Sequence, residues 1–181
     1  MNRPAAVTLY TIGHSTRSLE ELIDALHAHG IKTLVDIRAF PMSRRHPHFN
    51  RENLEQELPK AGIEYVWKKE LGGRRGKQAG ESPNTALRNP SFRNYADYML
   101  TPPFAAAAED VRQLAERAPT AIMCAERMWF QCHRMMVSDY FTAHGDAVEH
   151  IDASGPTRRH QLMKEAQVVE GRLLYNAGQL F

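Results

Sequence analysis

"VTLYTIGHSTRSLEELIDALHAHGIKTLVDIR", residues 7–38, decides the fold. Its opening "VTLYTIG" is rich in β-branched and aromatic residues and stops at Gly13, as a buried strand does. Ser18 with Glu21 three positions on is a capping box. Leu19, Leu22, Ile23 and Leu26 follow at helical spacing, and Gly30 ends the helix. "KTLVDIR" (32–38) is then a second strand, halted before Pro41. Strand, helix and strand in that order predict parallel pairing, with the helix packed on the sheet.

The same alternation continues. "NRENLEQELPKAG" (50–62) reads as a helix capped by Asn50, and "IEYVW" (63–67) as a third strand. Residues 68–89, rich in Gly, Pro and charge, read as a long loop, and loops of that length are usually functional or mobile. Helices are expected from Asn89-Pro90 through "SFRNYADYML" and over 101–118. "TAIMCAE" (120–126) is a fourth strand, "CHRMMVSDYFTAHG" (132–145) a helix, "AVEHI" (147–151) a fifth strand and "PTRRHQLMKEAQ" (156–167) a last helix. The expectation is a single three-layer α/β domain over 1–181, a mostly parallel sheet with helices on both faces. Its core spans about 7–152, with a C-terminal helix and tail over 153–181. Strand order cannot be read this way.

A chain of 181 residues is long enough for one core without staples. Its 43% hydrophobic and 24% charged content is that of a globular protein, and no apolar run is long enough to cross a bilayer. The N-terminus lacks a signal-peptide core, so the expected location is the cytoplasm, with reduced thiols. The net charge of +2 hides an imbalance: residues 38–77 hold ten Lys or Arg against five Glu. Such a segment attracts phosphates or nucleic acid, or is a solvated loop face.

In open parallel sheets, ligands bind beyond the carboxyl ends of the strands. The first strand ends in Gly13-His14-Ser15, and the second in Asp36 and Arg38 with Ser43, Arg44 and Arg45 beyond. The fourth ends in Cys124 and Glu126, the fifth in His150 and Asp152. Cys132-His133-Arg134 opens a helix, whose free N–H groups favour anions and thiolates. Cys124 or Cys132 is therefore a candidate nucleophile, His14 an acid or base, and Asp36 or Glu126 its orienting carboxylate. Arg38 and Arg134 are candidate anion ligands. Each has a duller reading: buried cysteines as small hydrophobes, Asp36 paired with Arg38, His14 and His133 as loop hydrogen-bonders. A zinc site from Cys124, Cys132, His133 and His14 is a further alternative, but the spacing is not that of a zinc finger, and no cofactor is predicted.

The motifs "TIGHST", "LVDIRAFPMSR", "GIEYVWKKELGG", "YADYM", "CAE" with "CHR", and "VEHI" resemble, in order, those of the domain of unknown function 488 family. The resemblance covers nearly the whole chain and implies an α/β protein with a shared site but no assigned chemistry. Carried over, that site comprises Gly13, His14, Ser15, Asp36, Arg38, Pro41, Ser43, Arg44, Leu71, Gly72, Gly73, Cys124, Glu126, Cys132, His133 and Arg134. The spacer Arg127-Met128-Trp129-Phe130-Gln131 departs from the acidic or proline-bearing one common in the family. The strand–Cys–loop–helix unit is also similar to rhodanese-type and low-molecular-weight phosphatase architecture, a likeness of fold alone.

Two functions compete on these grounds. One is an enzyme with an anion- or phosphate-binding cysteine site, its phosphorylated substrate drawn by Arg38, Arg44, Arg45, Arg74 and Arg75 and touched by Ser15, Ser43, Gly72, Gly73 and His133. The other is a nucleic-acid-binding or regulatory module using the basic 38–77 region, with Phe40, Phe49, Tyr65 and Trp67 for stacking. Oligomeric state and partner proteins leave no mark.

Overall fold

The computed structural model describes residues 4–176. Its main sheet holds β1 (Thr8–Gly13), β2 (Thr33–Asp36), β3 (Glu64–Trp67), β4 (Thr120–Cys124), β5 (Ala147–Ile151) and β6 (Arg158–Arg159), in the order β3-β2-β4-β1-β5-β6. The first five are parallel, and β6 runs antiparallel beside β5. The helices are α1 (Leu19–Ala28), α2 (Arg51–Lys60), α3 (Pro90–Tyr98), α4 (Pro102–Arg117) and α5 (Arg134–Ala143).

Alternate strand residues face opposite ways, and each set meets its own helices. Ile12, Leu34, Ala121 and Met123 pack with Leu22 and Leu26 of α1 and with Leu54 and Leu58 of α2. Leu9, Val35, Ile122 and Val148 pack with Tyr95 of α3, Phe104 and Val111 of α4, and Met136 and Phe141 of α5. Each Leu, Ile, Val, Phe or Met among them contributes about 1.5–3 kcal/mol on burial. The α/β class expected from the sequence is the one observed. No helix among the described residues is long and apolar enough to cross a membrane.

Strand order positions the site. The chain leaves β1 and β2 for α1 and α2 on one face, but leaves β4, which lies between them, for α5 on the other. Loops diverging to opposite faces leave a crevice between them, the topological switch point at which such sheets bind ligands.

The C-terminal helix expected over 156–167 does not form. Those residues hold β6, then a hairpin follows: β7 (Ala166–Val169) pairs antiparallel with β8 (Arg172–Tyr175). Two tertiary contacts override local propensity: His160 Nε2 lies 2.7 Å from Asp139 Oδ1, which also accepts from the Met163 N–H at 3.2 Å. Glu170 and Gly171 both take positive φ, 51° and 76°, which suits the tight two-residue turn. The end of the tail, 177–181, lies outside the described residues.

Between Gly72 and Asn89 no helix or strand forms, as expected for a long loop, yet it is tied down at both ends. The Tyr95 and Tyr98 hydroxyls donate to the Leu71 and Glu70 carbonyls at 2.7 and 2.6 Å. Asn84 Oδ1 accepts from the Tyr175 N–H at 2.9 Å.

Candidate functional site

Beyond the carboxyl ends of β1, β2 and β4 lies a cavity of about 1630 Å³. Of the residues singled out above, His14, Ser15, Arg38, Ser43, Arg44, Gly73, Cys124, Glu126, Cys132 and His133 line it. Asp36, Gly72 and Arg134 do not. His46, Arg74, Phe92 and Tyr95 also line it. Tyr95 and Phe92 escaped sequence reasoning because the helical pattern of α3 marks them as core.

Asp36 and Arg38 form one sealed unit. The Arg38 Nε and Nη2 donate to Oδ1 and Oδ2 of Asp36 at 2.9 and 2.6 Å, and the Tyr65 hydroxyl donates to Oδ2 at 2.6 Å. Arg38 Nη2 also donates to the Phe49 carbonyl at 2.7 Å. Burial opposes the Arg38 charge, but its bonds to Asp36 outweigh burial and hold the guanidinium above its ordinary range. With Asp36 fully buried, this pair shapes the cleft from beneath.

His14 rests on that unit. Its Nδ1 lies 3.0 Å from the Ser15 carbonyl and its Nε2 is 3.3 Å from Arg38 Nη1, so Nδ1 carries the proton and Nε2 accepts. Burial, with the Arg38 charge adding to it, pushes His14 down to about 4. The ring stacks on Phe49 at 4.3 Å. Both nitrogens are thus engaged and the imidazole is neutral. Ser15 adopts φ 49°, a left-handed conformation uncommon outside glycine, while its N–H donates to the Ala125 carbonyl at 2.9 Å. Gly13 is required by closeness: a Cβ there would run into the Glu126 carbonyl.

His133 is held the same way on the opposite wall. Its Nε2 donates to the Ile37 carbonyl at 2.9 Å, and burial pushes it down to about 4. Gly73 lies flat against its ring, where a Cβ would strike Nδ1.

The two thiols meet on the floor. Cys124 and Cys132 are free and buried, with their sulfurs 2.8 Å apart. Cys124 closes β4, and Cys132 sits in extended backbone (φ −140°, ψ 175°) just before α5. One sulfur donates its S–H to the other. The hydrogen bond from Cys132 draws Cys124 below its usual range, helped by the Arg134 charge and opposed by burial. The same bond pushes Cys132 far up, so the proton stays on Cys132.

Arg134 is 1% exposed. Its Nη2 donates to the Glu126 and Arg127 carbonyls at 3.0 and 2.8 Å, which fixes the loop after β4. The Nε and Nη1 have no partner among the described residues. Glu126 itself is exposed on the cleft wall. Among the described residues no three His, Cys, Asp or Glu side chains are grouped to hold a metal ion.

A second polar constellation, which joins Thr11 and His150 of the sequence motifs to residues outside them, runs through the core. Thr11 Oγ1, His150, His160, Asp139 and the Tyr175 hydroxyl are linked in a chain at 2.6, 2.9, 2.7 and 2.9 Å. Burial pushes His150 down to about 3, with the neighbouring His160 acting in the same direction. The chain joins β1, β5, α5 and β8.

Of the four aromatics considered for base stacking, only Phe40 is free, at 69% exposed. Phe49 is buried, the Tyr65 hydroxyl is bound to Asp36, and Trp67 Nε1 donates to the Arg38 carbonyl at 2.9 Å.

Fold and site together define a doubly wound α/β protein with a thiol-floored, arginine-rimmed cleft at its switch point. The chain belongs to the family described as domain of unknown function DUF488, which matches residues 18–141. Neither a curated protein nor a solved structure matches it.

Proposed function

We propose that the chain is an enzyme that takes a phosphorylated substrate into the cleft and attacks it with the Cys124 thiolate. The observation carrying this reading is the 2.8 Å thiol pair on the floor of a cavity that Arg44, Arg45 and Arg74 also line. None of these three arginines is in an ion pair among the described residues. They are free to meet phosphate, to which guanidinium binds in bidentate fashion. A perturbed thiol in a cleft is the kind of group that marks an active site.

In the proposed step the Cys124 sulfur gives its electron pair to the attacked atom while the bond to the leaving group breaks. The leaving group departs with the electrons of the broken bond and takes a proton from solvent relayed by Glu126. A water then attacks the sulfur-bound group, gives its proton back to solvent through Glu126, and the electrons of the breaking bond return to sulfur as thiolate. His14 and His133, neutral and engaged, serve as walls that position rather than as proton carriers.

The test is alkylation of each cysteine against pH, resolved by peptide mass spectrometry. Cys124 should react as thiolate well below the ordinary thiol value of ~8.5. Cys132→Ala should raise the pH at which it does so, by removing the hydrogen bond that favours the anion. If both thiols stay inert until the protein unfolds, the reading is wrong.

A second reading, a nucleic-acid-binding surface, is favoured by Phe40 and Met42, 69% and 78% exposed on the rim, and by the Arg74 guanidinium 5.7 Å from the Phe40 ring centre. It predicts affinity for single strands that falls steeply with salt, with a log–log slope of about −0.7 per phosphate contacted. Fluorescence anisotropy with a labelled oligonucleotide decides it, since a small-molecule enzyme gives no such slope.

A further inference from the structure

The two thiols on the cleft floor stand closer than nucleophilic attack by one of them requires. They are the only cysteines in the chain and lie eight positions apart. Among the described residues each sulfur's shortest hydrogen bond is to the other, at 2.8 Å. The Glu126 carbonyl is 3.7 Å from the Cys124 sulfur, and the Trp129 carbonyl 3.9 Å from that of Cys132. A disulfide bond is ~2.05 Å long, so about 0.8 Å remains to be closed. An ordinary well-ordered atom is displaced by about 0.9 Å in three dimensions by thermal motion.

The backbone holds both ends. Cys124 closes β4, and its carbonyl accepts from the His14 N–H at 3.0 Å. Cys132 precedes α5, and its carbonyl accepts from the Met135 N–H at 3.1 Å. Between them only Trp129–Gln131 form a regular turn, of 3-10 type. Folding has therefore already brought the ends together, the step that costs a loop its entropy. Both side chains line the large cavity, yet Cys124 is only 2% exposed and Cys132 9%. Sulfurs so recessed admit a small oxidant, and a peroxide is one that takes a thiolate to sulfenic acid.

We propose that Cys124 and Cys132 form a dithiol that a peroxide converts, reversibly, into a disulfide across the cleft floor. The Cys124 thiolate attacks one peroxide oxygen. The O–O bond breaks, and its electrons leave with the second oxygen, which takes a proton from solvent. Cys124 is then a sulfenic acid. The Cys132 sulfur attacks the Cys124 sulfur, the S–O bond breaks, and the departing hydroxide takes the Cys132 proton as water. Two thiols are thus oxidised by two electrons while one peroxide is reduced. The order of attack follows from the hydrogen bond between them. Cys124 is the sulfur drawn toward the anion, and the bond to it is the largest cause holding the proton on Cys132. The first step consumes that anion and frees Cys132 to react. A dithiol such as dithiothreitol reverses the change by exchange, itself becoming the disulfide. The disulfide stands on the geometry of the pair. Its consequence for the proposed reaction, loss of the nucleophile on oxidation, rests on the thiolate reading.

Trypsin cuts after Arg117, Arg127 and Arg134, which puts the two cysteines on separate peptides, 118–127 and 128–134. The full chain is treated with hydrogen peroxide, its remaining thiols are blocked with N-ethylmaleimide, and the digest is weighed by mass spectrometry without reduction. The two peptides should appear joined and short of two hydrogens, with the blocked forms lost, and dithiothreitol should restore both. In Cys132→Ser the joined species should be lost and Cys124 should run on to sulfinic acid, since nothing resolves the sulfenic acid. In Cys124→Ser the Cys132 thiol should survive and be blocked. The proposal is overturned if the folded protein yields no joined peptide, or if the join forms only between two chains on a non-reducing gel. It is equally overturned if Cys124 goes to sulfinic acid in the unaltered chain beside an unreacted Cys132. A joined peptide that leaves hydrolysis of p-nitrophenyl phosphate unchanged supports the disulfide and counts against the thiolate reading. Hydrolysis that resists peroxide, with no joined peptide, overturns the disulfide and leaves that reading standing.

Discussion

Asp139→Ala should lower stability by about 3–5 kcal/mol, the range for breaking a buried, charge-assisted network by removing one partner. Asp139 is fully buried in α5 and accepts from three donors: His160 Nε2, the Met163 N–H and the Tyr175 hydroxyl. Truncation leaves all three without that acceptor. For a chain of this size the melting temperature should fall by about 10 °C or more. The loss should also have a location. His160, Met163 and Tyr175 are among the points at which residues 158–175 attach to the α/β core, so hydrogen exchange should rise first in β6, β7 and β8. Asp152→Ala is the contrast. Asp152 is exposed and bonded to surface arginines, and its removal should change stability by no more than about 0.5 kcal/mol. Equal losses in the two variants would mean that the Asp139 chain does not hold the C-terminal segment.

That chain also marks where sequence reading stops. The elements of the core were legible because their signals are local: a capping box at Ser18 and Glu21, apolar spacing along α1, β-branched runs ended by Gly13 or by the residues before Pro41. The placement of polar residues at strand ends was legible too, since a parallel sheet sends all its carboxyl ends to one edge. What each residue does there was left between alternatives, pairing of Asp36 with Arg38 among them. Asp36 and Arg38 are two apart in sequence and could have faced the ligand; three-dimensional packing instead brings Tyr65 and the Phe49 carbonyl onto them and seals the pair. The contact between Cys124 and Cys132 depends on the path of residues 125–131, which no propensity describes. The C-terminal misreading has the same cause. "PTRRHQLMKEAQ" has helical composition, but His160 is drawn to an aspartate on a helix far back in the chain, and helix loses to that bond.

The protein should unfold in mild acid, and its histidines are the reason. His14 and His133 are held near 4 and His150 near 3, in each case chiefly by burial. In the unfolded chain the same groups titrate near 6.5. Below 6.5, then, the unfolded state takes up protons that the folded state refuses, so stability is full above that pH and declines as pH falls toward 4. Each histidine contributes a slope of up to about 1.4 kcal/mol per pH unit, and the three together about 4. Between pH 7 and 5 the loss amounts to roughly 5 kcal/mol, against the 5–15 kcal/mol total of an ordinary domain. Free carboxylates titrate near 4, below that window, whereas an unfolded imidazole titrates inside it. Urea denaturation followed by circular dichroism should show the midpoint falling between pH 7 and 5 with its slope unchanged. His133→Gln isolates one share: the glutamine amide can still donate to the Ile37 carbonyl but does not titrate. In that variant the dependence on pH should be shallower by about a third, whatever its stability at pH 7. A midpoint that stays flat from pH 7 to 5 would show that these imidazoles accept protons in the folded state. The neutral His14 and His133 walls assigned to the cleft would then have to be redrawn as charged ones.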